Sequence, residues 1–423
     1  MTLFSRNSAF ARVTALASQR ALHAAFAWMH NNPQTIMDWQ ARLVAIPAPP
    51  FGERPRGEAI ASIFADIGLA EIATDELGNV TALLRAKHLP PESTGPVVVL
   101  SAHLDTVFPA STAILPMVTR SGGVLRLDSP GACDNGAGLA ALLAIAQSLV
   151  HSEAELPVPV VVLANVGEEG EGDLRGVRHF YAASPYAGRV AAHVVLDGAG
   201  ADAVVAQALG SRRFQVTVTG PGGHSFTDAG TPNPIAALAA ALAEVAATPL
   251  PEEPRTTLNL GTIQGGTSVN SIPESATASI DFRSTSPDEL TLLEVALHRA
   301  VENSIESSNA AAAVYPARSR GPLAFKIEKI GDRPAAQLAE NSPLLDALRA
   351  VDRHLGLRTD LRLGSTDANI PIARGLPALS MGAGGDGGGA HTVAEWYTDR
   401  DRELGLKRVL LLTLAIAAWA AEQ

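Results

Sequence analysis

Three short runs constrain the fold of this chain more than any other feature. Pro96–Ala102, Val158–Ala164 and Ala191–Leu196 are almost entirely apolar. A strand with one wet face alternates polar and apolar residues, so unbroken runs of this length indicate strands covered on both faces. Helical stretches follow them, over Gly138–Val150 and near Leu174–Ala183, and a further helical stretch covers residues 34–70 upstream. Strand alternating with helix predicts a mostly parallel α/β sheet flanked by helices.

The pattern changes near Gly210. Phe214, Val216 and Val218 alternate with polar neighbours, which suits a sheet exposed on one face. An Ala-rich helix over Pro234–Ala247, strands at Thr257–Ile263 and Ala276–Arg283, a helix over Glu289–Ser304 and a strand near Ala311–Pro316 complete a small α+β (ferredoxin-like) unit. The expected organisation is therefore a first domain over 1–210 and 325–423, with an inserted unit over 211–324. A chain of 423 residues is too long for one ordinary core, in keeping with that division. Strand and helix resume after Lys326, with Asn341–Pro343 as cap and first turn, and the apolar stretch Val409–Ala421 reads as a buried helix because a bilayer span needs about 20 residues.

Composition excludes several functions. A formal charge of −11 disfavours nucleic acid and anionic membranes as partners. The single cysteine, Cys133, rules out an internal disulfide and fits a reducing compartment, so a cytoplasmic location is expected. The first 37 residues carry Arg6, Arg12 and Arg20 and no acid, a composition shared by organelle-targeting segments, but an amphipathic first helix is the simpler reading.

Acids and histidines gather where the apolar runs end. His103 and Asp105 follow the first run, Glu168 and Glu169 the second, Asp197 the third, and His391 lies beyond the apolar stretch Leu376–Met381. In open α/β sheets the ligand crevice lies at the carboxyl ends of the strands, so four separate runs converge on one place. Asp134 sits in a glycine-rich turn, Pro130-Gly131-Ala132-Cys133-Asp134-Asn135-Gly136, and a carboxylate can bridge two cations. Mixed imidazole and carboxylate donors favour zinc over calcium or magnesium, and no cysteine-pair spacing indicates a structural zinc finger. Gly382-Ala383-Gly384-Gly385-Asp386-Gly387 matches a dinucleotide fingerprint in form only, since it opens no long helix; it reads as a flexible active-site loop. Cys133 reads as a small buried residue.

These motifs resemble a known family of di-zinc hydrolases that includes acetylornithine deacetylases, succinyl-diaminopimelate desuccinylases, aminoacylases, carboxypeptidase G and peptidase T. Ser101-Ala102-His103-Leu104-Asp105-Thr106-Val107-Phe108-Pro109 is similar to its first metal motif, Gly167-Glu168-Glu169-Gly170 to its base-and-ligand pair, and Gly220-Pro221-Gly222-Gly223-His224-Ser225 to its lid motif. The resemblance implies two zinc ions bridged by Asp134, one completed by His103 and Asp197, the other by Glu169 and His391, with cobalt or manganese as substitutes. It implies that Asp105 holds the His103 imidazole, that Glu168 is the general base, that His224 stabilises the oxyanion, and that Asn270 and Arg283 grip a substrate carboxylate. Asn135 stands where many relatives have lysine or aspartate, which leaves the subfamily open.

The expected function is metal-dependent hydrolysis of an amide bond in a di- or tripeptide bearing a free carboxylate. Residues Asn165–Arg178 look closest to the tripeptidase-like branch. A deacylase of N-acyl amino acids is the alternative within the same chemistry, and an inactive binding protein that keeps the fold is the alternative outside it. The inserted unit is expected to serve as a lid and to form a homodimer; neither nucleic acid nor membrane is expected as a partner.

Overall fold

A computed structural model describes residues 6–90, 93–314 and 320–423. It divides into two compact units, one built from 1–208 and 337–423, the other from Leu209–Ala336.

The larger unit is built on a nine-stranded sheet whose centre is parallel. Strand Val97–His103 lies between Val160–Asn165 and Val190–Leu196, parallel to both, and Ala378–Met381 adds in parallel to the last. Toward one edge Val80–Leu84 and Ala70–Thr74 pair antiparallel. The central strands are buried along their whole length, as their composition requires. Val98, Leu100 and Ala102 pack into one core, while Val97 and Val99 pack on the opposite face against Leu174, Val177 and Phe180. Each fully buried valine or leucine contributes roughly 1.5–3 kcal/mol, so the alternation binds both helical layers to the sheet.

Helix Gly136–Ser152 is buried nearly all round, beneath the helices Arg20–Asn31 and Pro33–Val44 and against the central strand. The first helix, Arg6–Ala17, buries Ala9, Val13 and Ala17 at four-residue spacing, so it is part of this core. Helix Arg402–Ala420 is apolar and buried, as its sequence indicated.

The smaller unit carries an antiparallel sheet in the order Thr256–Gly265, Ser275–Ser284, Gly210–Thr219, Ala324–Arg333. Helices Pro234–Ala246 and Pro287–Ala313 pack on it through Leu238, Leu242, Leu293 and Leu297, giving the ferredoxin-like order of elements. Two expectations are corrected here. The segment from Ala311 to Ala313 continues the long helix instead of starting a strand, and Tyr315 and Pro316 lie outside the described residues. The fourth strand is Ala324–Arg333, so a boundary at 324/325 would cut a strand that pairs along Gly210–Thr219. The misreading is physical: an alanine run suits a helix better than a strand, and the true strand is an exposed edge with little apolar pattern.

Helix Pro343–Leu355, capped by Ser342, is tied to Arg402–Ala420 by a buried bidentate ion pair, Arg408 Nε to Asp352 Oδ1 at 2.6 Å and Nη2 to Oδ2 at 2.7 Å. Removing one partner strands the other charge in the core. Asp352→Ala should cost about 3–5 kcal/mol, seen as an earlier urea transition, whereas Asp352→Leu with Arg408→Met should recover much of that loss. Equal stability of Asp352→Ala and the native chain would show that the pair contributes nothing.

Candidate metal centre

The parallel strands end together, since His103 stands opposite Asn165 and Leu196 opposite Met381 in register. The residues that follow therefore share one edge of the sheet. His103 is the last residue of its strand, Asp197 is the first after Val190–Leu196, and Glu168 and Glu169 follow Val160–Asn165 after a tight turn. That turn needs Gly167, whose φ is +67° and where an added Cβ would meet the Arg175 side chain at 2.6 Å. Asp134 lies just before helix Gly136–Ser152. His391 occupies a turn with φ +64°.

One carboxylate links the two histidines. Asp134 Oδ1 lies 3.1 Å from His103 Nε2, and Asp134 Oδ2 lies 3.0 Å from His391 Nε2. Asp197 Oδ1 is 3.9 Å from His103 Nε2, and Glu169 Oε1 is 3.2 Å from His391 Nε2. The donor atoms of His103, Asp134 and Asp197 all lie within 4.8 Å of one another, as do those of Asp134, Glu169 and His391, and those of His103, Glu168 and Glu169. His103 Nε2 and Asp134 Oδ1 are buried and have no hydrogen-bond partner beyond their 3.1 Å approach to each other. Buried polar atoms are rarely left so, and these two are of the type that coordinates zinc. The donor set thus fits two divalent cations sharing Asp134.

The electrostatics of the protein alone are strained in the way a cation would relieve. Burial and the charge of Asp134 push the Glu169 carboxyl up to about 7. The hydrogen bond to Asp134 raises the His391 imidazole to about 9, with Glu169 adding to it. Burial opposes charge on His103, yet Asp105, Asp134 and Asp197 together hold its imidazole well above the ordinary range. Burial also resists ionisation of Asp134, but the hydrogen bonds to His103 and His391 outweigh it and depress its carboxyl.

Surrounding groups hold the segments that carry these side chains. Asp105 differs from the expectation: it lies beyond the strand end, and the hydrogen-bond partner of His103 Nδ1 is the Asp105 backbone carbonyl at 3.0 Å, with the carboxylate at 3.7 Å. The carboxylate instead accepts the backbone N–H groups of Glu168 and Glu169 at 3.0 and 2.7 Å. Neutral Asn135 is fully buried; it donates to the Leu196 carbonyl and accepts from Gly138 and Gly198. Cys133 is buried, and burial raises its thiol to about 12, which makes it inert. Asp386–Gly388, read from sequence as part of a flexible loop, is a short strand paired with Trp396–Thr398.

Sequence reasoning missed two buried acids. Asp367 accepts from Asn165 Nδ2 at 2.6 Å, and burial pushes its carboxyl up to about 7. Glu395, four residues after His391, accepts three backbone N–H groups of the Asp134 turn. Neither belongs to a spacing pattern; only the meeting of distant loops reveals them.

In the smaller unit, His224 belongs to a two-residue strand, Gly223–His224, paired with Ser271–Ile272. Its Nδ1 accepts the N–H groups of Phe226 and Thr227 at 3.2 and 3.3 Å, which leaves Nε2 as the ring nitrogen able to donate. Asn270 lies beside it, with its backbone carbonyl accepting from Ser225 and its side chain bonded to Ser268. Arg283 sits on strand Ser275–Ser284 and donates through Nε to Asp281 at 2.7 Å, so part of its fork is already engaged.

Comparison with known proteins gives a consistent family. The model of the family described as Peptidase family M20/M25/M40 matches residues 99–415. A probable carboxypeptidase of Aspergillus clavatus is 30% identical over 204 residues, which is 44% of each chain. These matches span about half the length of the curated relatives. Among solved structures, aminopeptidase PepT from Bacillus cereus superposes with a TM-score of 0.70 at 19% identity, covering 91% of this chain and 99% of that one. The YXEP protein of Bacillus subtilis, a dinuclear metal binding peptidase, gives 0.61 at 18% identity over 92% and 98%.

Zinc ligation requires deprotonated imidazole and carboxylate, so loading the metal-free protein with zinc must expel the protons described above. Proton release is expected at pH 7, with apparent affinity rising as pH increases through 7 to 9 and falling below that window. An indicator dye in weak buffer measures it; zinc uptake without proton release contradicts the ligand set. Asp134→Ala should retain fewer than two ions by elemental analysis.

Proposed function

The chain belongs to peptidase family M20/M25/M40, and on that premise we propose that it is a two-metal hydrolase cleaving an amide bond in a small peptide with a free carboxylate. The observation that carries this reading is Asp134, which offers one oxygen beside each of two imidazoles. His103 and Asp197 would hold one ion and Glu169 and His391 the other. Zinc at these positions supplies positive charge that acidifies water and polarises the scissile carbonyl.

The protein groups then divide the work. Glu168 is buried at the same sheet edge, its backbone N–H held by Asp105, and it is adjacent to the ligand Glu169. It takes the proton of the attacking water and delivers it to the leaving amine. His224, with its proton on Nε2, donates to the oxyanion as charge develops. Arg283 and Asn270 bind the substrate carboxylate; the Arg283 nitrogens not turned to Asp281 supply the fork. The Aspergillus clavatus relative is named a carboxypeptidase and the Bacillus cereus neighbour an aminopeptidase, which supports a peptide over an N-acyl amino acid as substrate. A deacylase remains the second reading because both substrates present an amide near a carboxylate. The filled ligand and base positions argue against an inactive binding protein.

Zinc as the working ion and a homodimer formed through the smaller unit are part of the same proposal. Among the described residues no helix is long and apolar enough to cross a membrane.

Hydrolysis of a panel of di- and tripeptides and N-acetyl amino acids, with zinc, cobalt or manganese added, tests the reading. Activity that survives removal of all transition metal sinks it. Glu168→Ala should keep both ions while turnover falls by roughly 10²–10⁴; turnover near the native value assigns the base elsewhere. Esterifying the substrate carboxylate should weaken native binding by tens-fold or more, from the ~2–5 kcal/mol typical of a broken charge pair, and should matter little to Arg283→Ala. An undiminished ester penalty in that variant removes Arg283 from the carboxylate site.

A further inference from the structure

The ligands Asp134 and His391 stand on segments without regular secondary structure. Asp134 belongs to the turn from Ser129 to Asn135, and His391 to a half-exposed turn closed by Thr392 N–H on the Gly389 carbonyl. Asp134, Glu169 and Asp197 crowd carboxylates at this edge, and contacts to His103 and His391 are what link them across it. A metal site nevertheless needs its ligands placed to within about 0.5 Å.

Glu395 meets that need geometrically. It stands where the ladder between Trp396–Thr398 and Val124–Asp128 ends, with Trp396 opposite Asp128. Its backbone carbonyl continues the ladder by accepting Ser129 N–H at 3.1 Å. Its side chain is 1% exposed and turns onto the Asp134 segment. Oε1 accepts the N–H groups of Cys133 and Asp134, both at 2.7 Å, and Oε2 accepts that of Gly131 at 2.8 Å. Among the described residues it forms no ion pair, so the three N–H dipoles are what compensate the buried carboxylate. The arrangement parallels Asp105, which holds the Glu168 and Glu169 amides in the same way.

We propose that Glu395 is a positioning residue for the second metal site: its carboxylate clamps the Gly131–Asp134 turn to the segment that carries His391, so that Asp134 Oδ2 and His391 Nε2 are set in place before the ion binds. The inference rests on the two-metal reading and adds a residue that touches neither metal nor substrate. Glutamine has nearly the same shape but one acceptor oxygen, and its amide would oppose the N–H of Gly131 or those of Cys133 and Asp134. The clamp would be loosened without opening a cavity.

The test uses the full chain, stripped of metal and titrated with zinc against a chromophoric chelator. Glu395→Gln is expected to melt close to the native metal-free protein, to bind one zinc with native affinity, and to bind the second about 10–100-fold more weakly, the usual effect of losing a group that orients a ligand. Turnover should fall at limiting zinc and recover at saturating zinc, with KM unchanged. Native affinity for both ions in a folded Glu395→Gln overturns the proposal. Hydrogen exchange on the native chain provides an arm that survives misfolding of the variant: the amides of Gly131, Cys133 and Asp134 should be protected before zinc is added, and protection that appears only with zinc overturns the clamp. A native chain that takes up fewer than two ions instead overturns the two-metal reading, and the exchange arm still decides whether Glu395 holds the turn.

Discussion

Asp134 shares its two oxygens between imidazoles that reach it from opposite ends of the sequence, and the arrangement of the sheet edge follows from that sharing. His103 is held by the central strand, whose two faces are both buried, so it can move little. His391 arrives on a turn, and Glu169 on another. A single carboxylate between these elements concentrates negative charge where burial makes it costly, and the pKa displacements of Glu169, His103 and His391 are the record of that cost. Divalent cations would neutralise it.

The protein restrains the cluster with backbone amides instead of further cations. Asp105 and Glu395 are buried carboxylates that each receive N–H groups from the segments bearing the proposed ligands. Asn135 does similar work without charge, receiving the amides of Gly138 and Gly198 and donating to the end of strand Val190–Leu196. A neutral side chain at that point satisfies every partner it meets, which explains how asparagine serves beside a carboxylate already crowded by others.

Much of this was legible in the chain. Apolar runs such as Val97–Val99 can only be strands covered on both sides, and their ends announce where a crevice lies. The helix over Gly136–Ser152 and the first five elements of the βαββαβ unit follow from equally local patterns. Legibility failed where local pattern was weak. The edge strand Ala324–Arg333 is largely exposed and is defined by its partner Gly210–Thr219, not by its own composition. The glycine-rich segment Gly382–Gly389 contains a paired strand because Trp396–Thr398 is there to accept it.

By itself the sequence determined the parallel core, the inserted unit and the residue types able to hold metal, because strand burial and donor chemistry are properties of single residues and their near neighbours. Only the tertiary structure decided which group serves which. Asp105 turns its carboxylate to the Glu168 and Glu169 amides and leaves its carbonyl to His103, and Glu395 reaches the Asp134 amide across 261 positions of chain. A hydrogen bond acts over about 3 Å, and which groups come that close is set by how distant loops are brought together at the sheet edge, a quantity that no local pattern encodes.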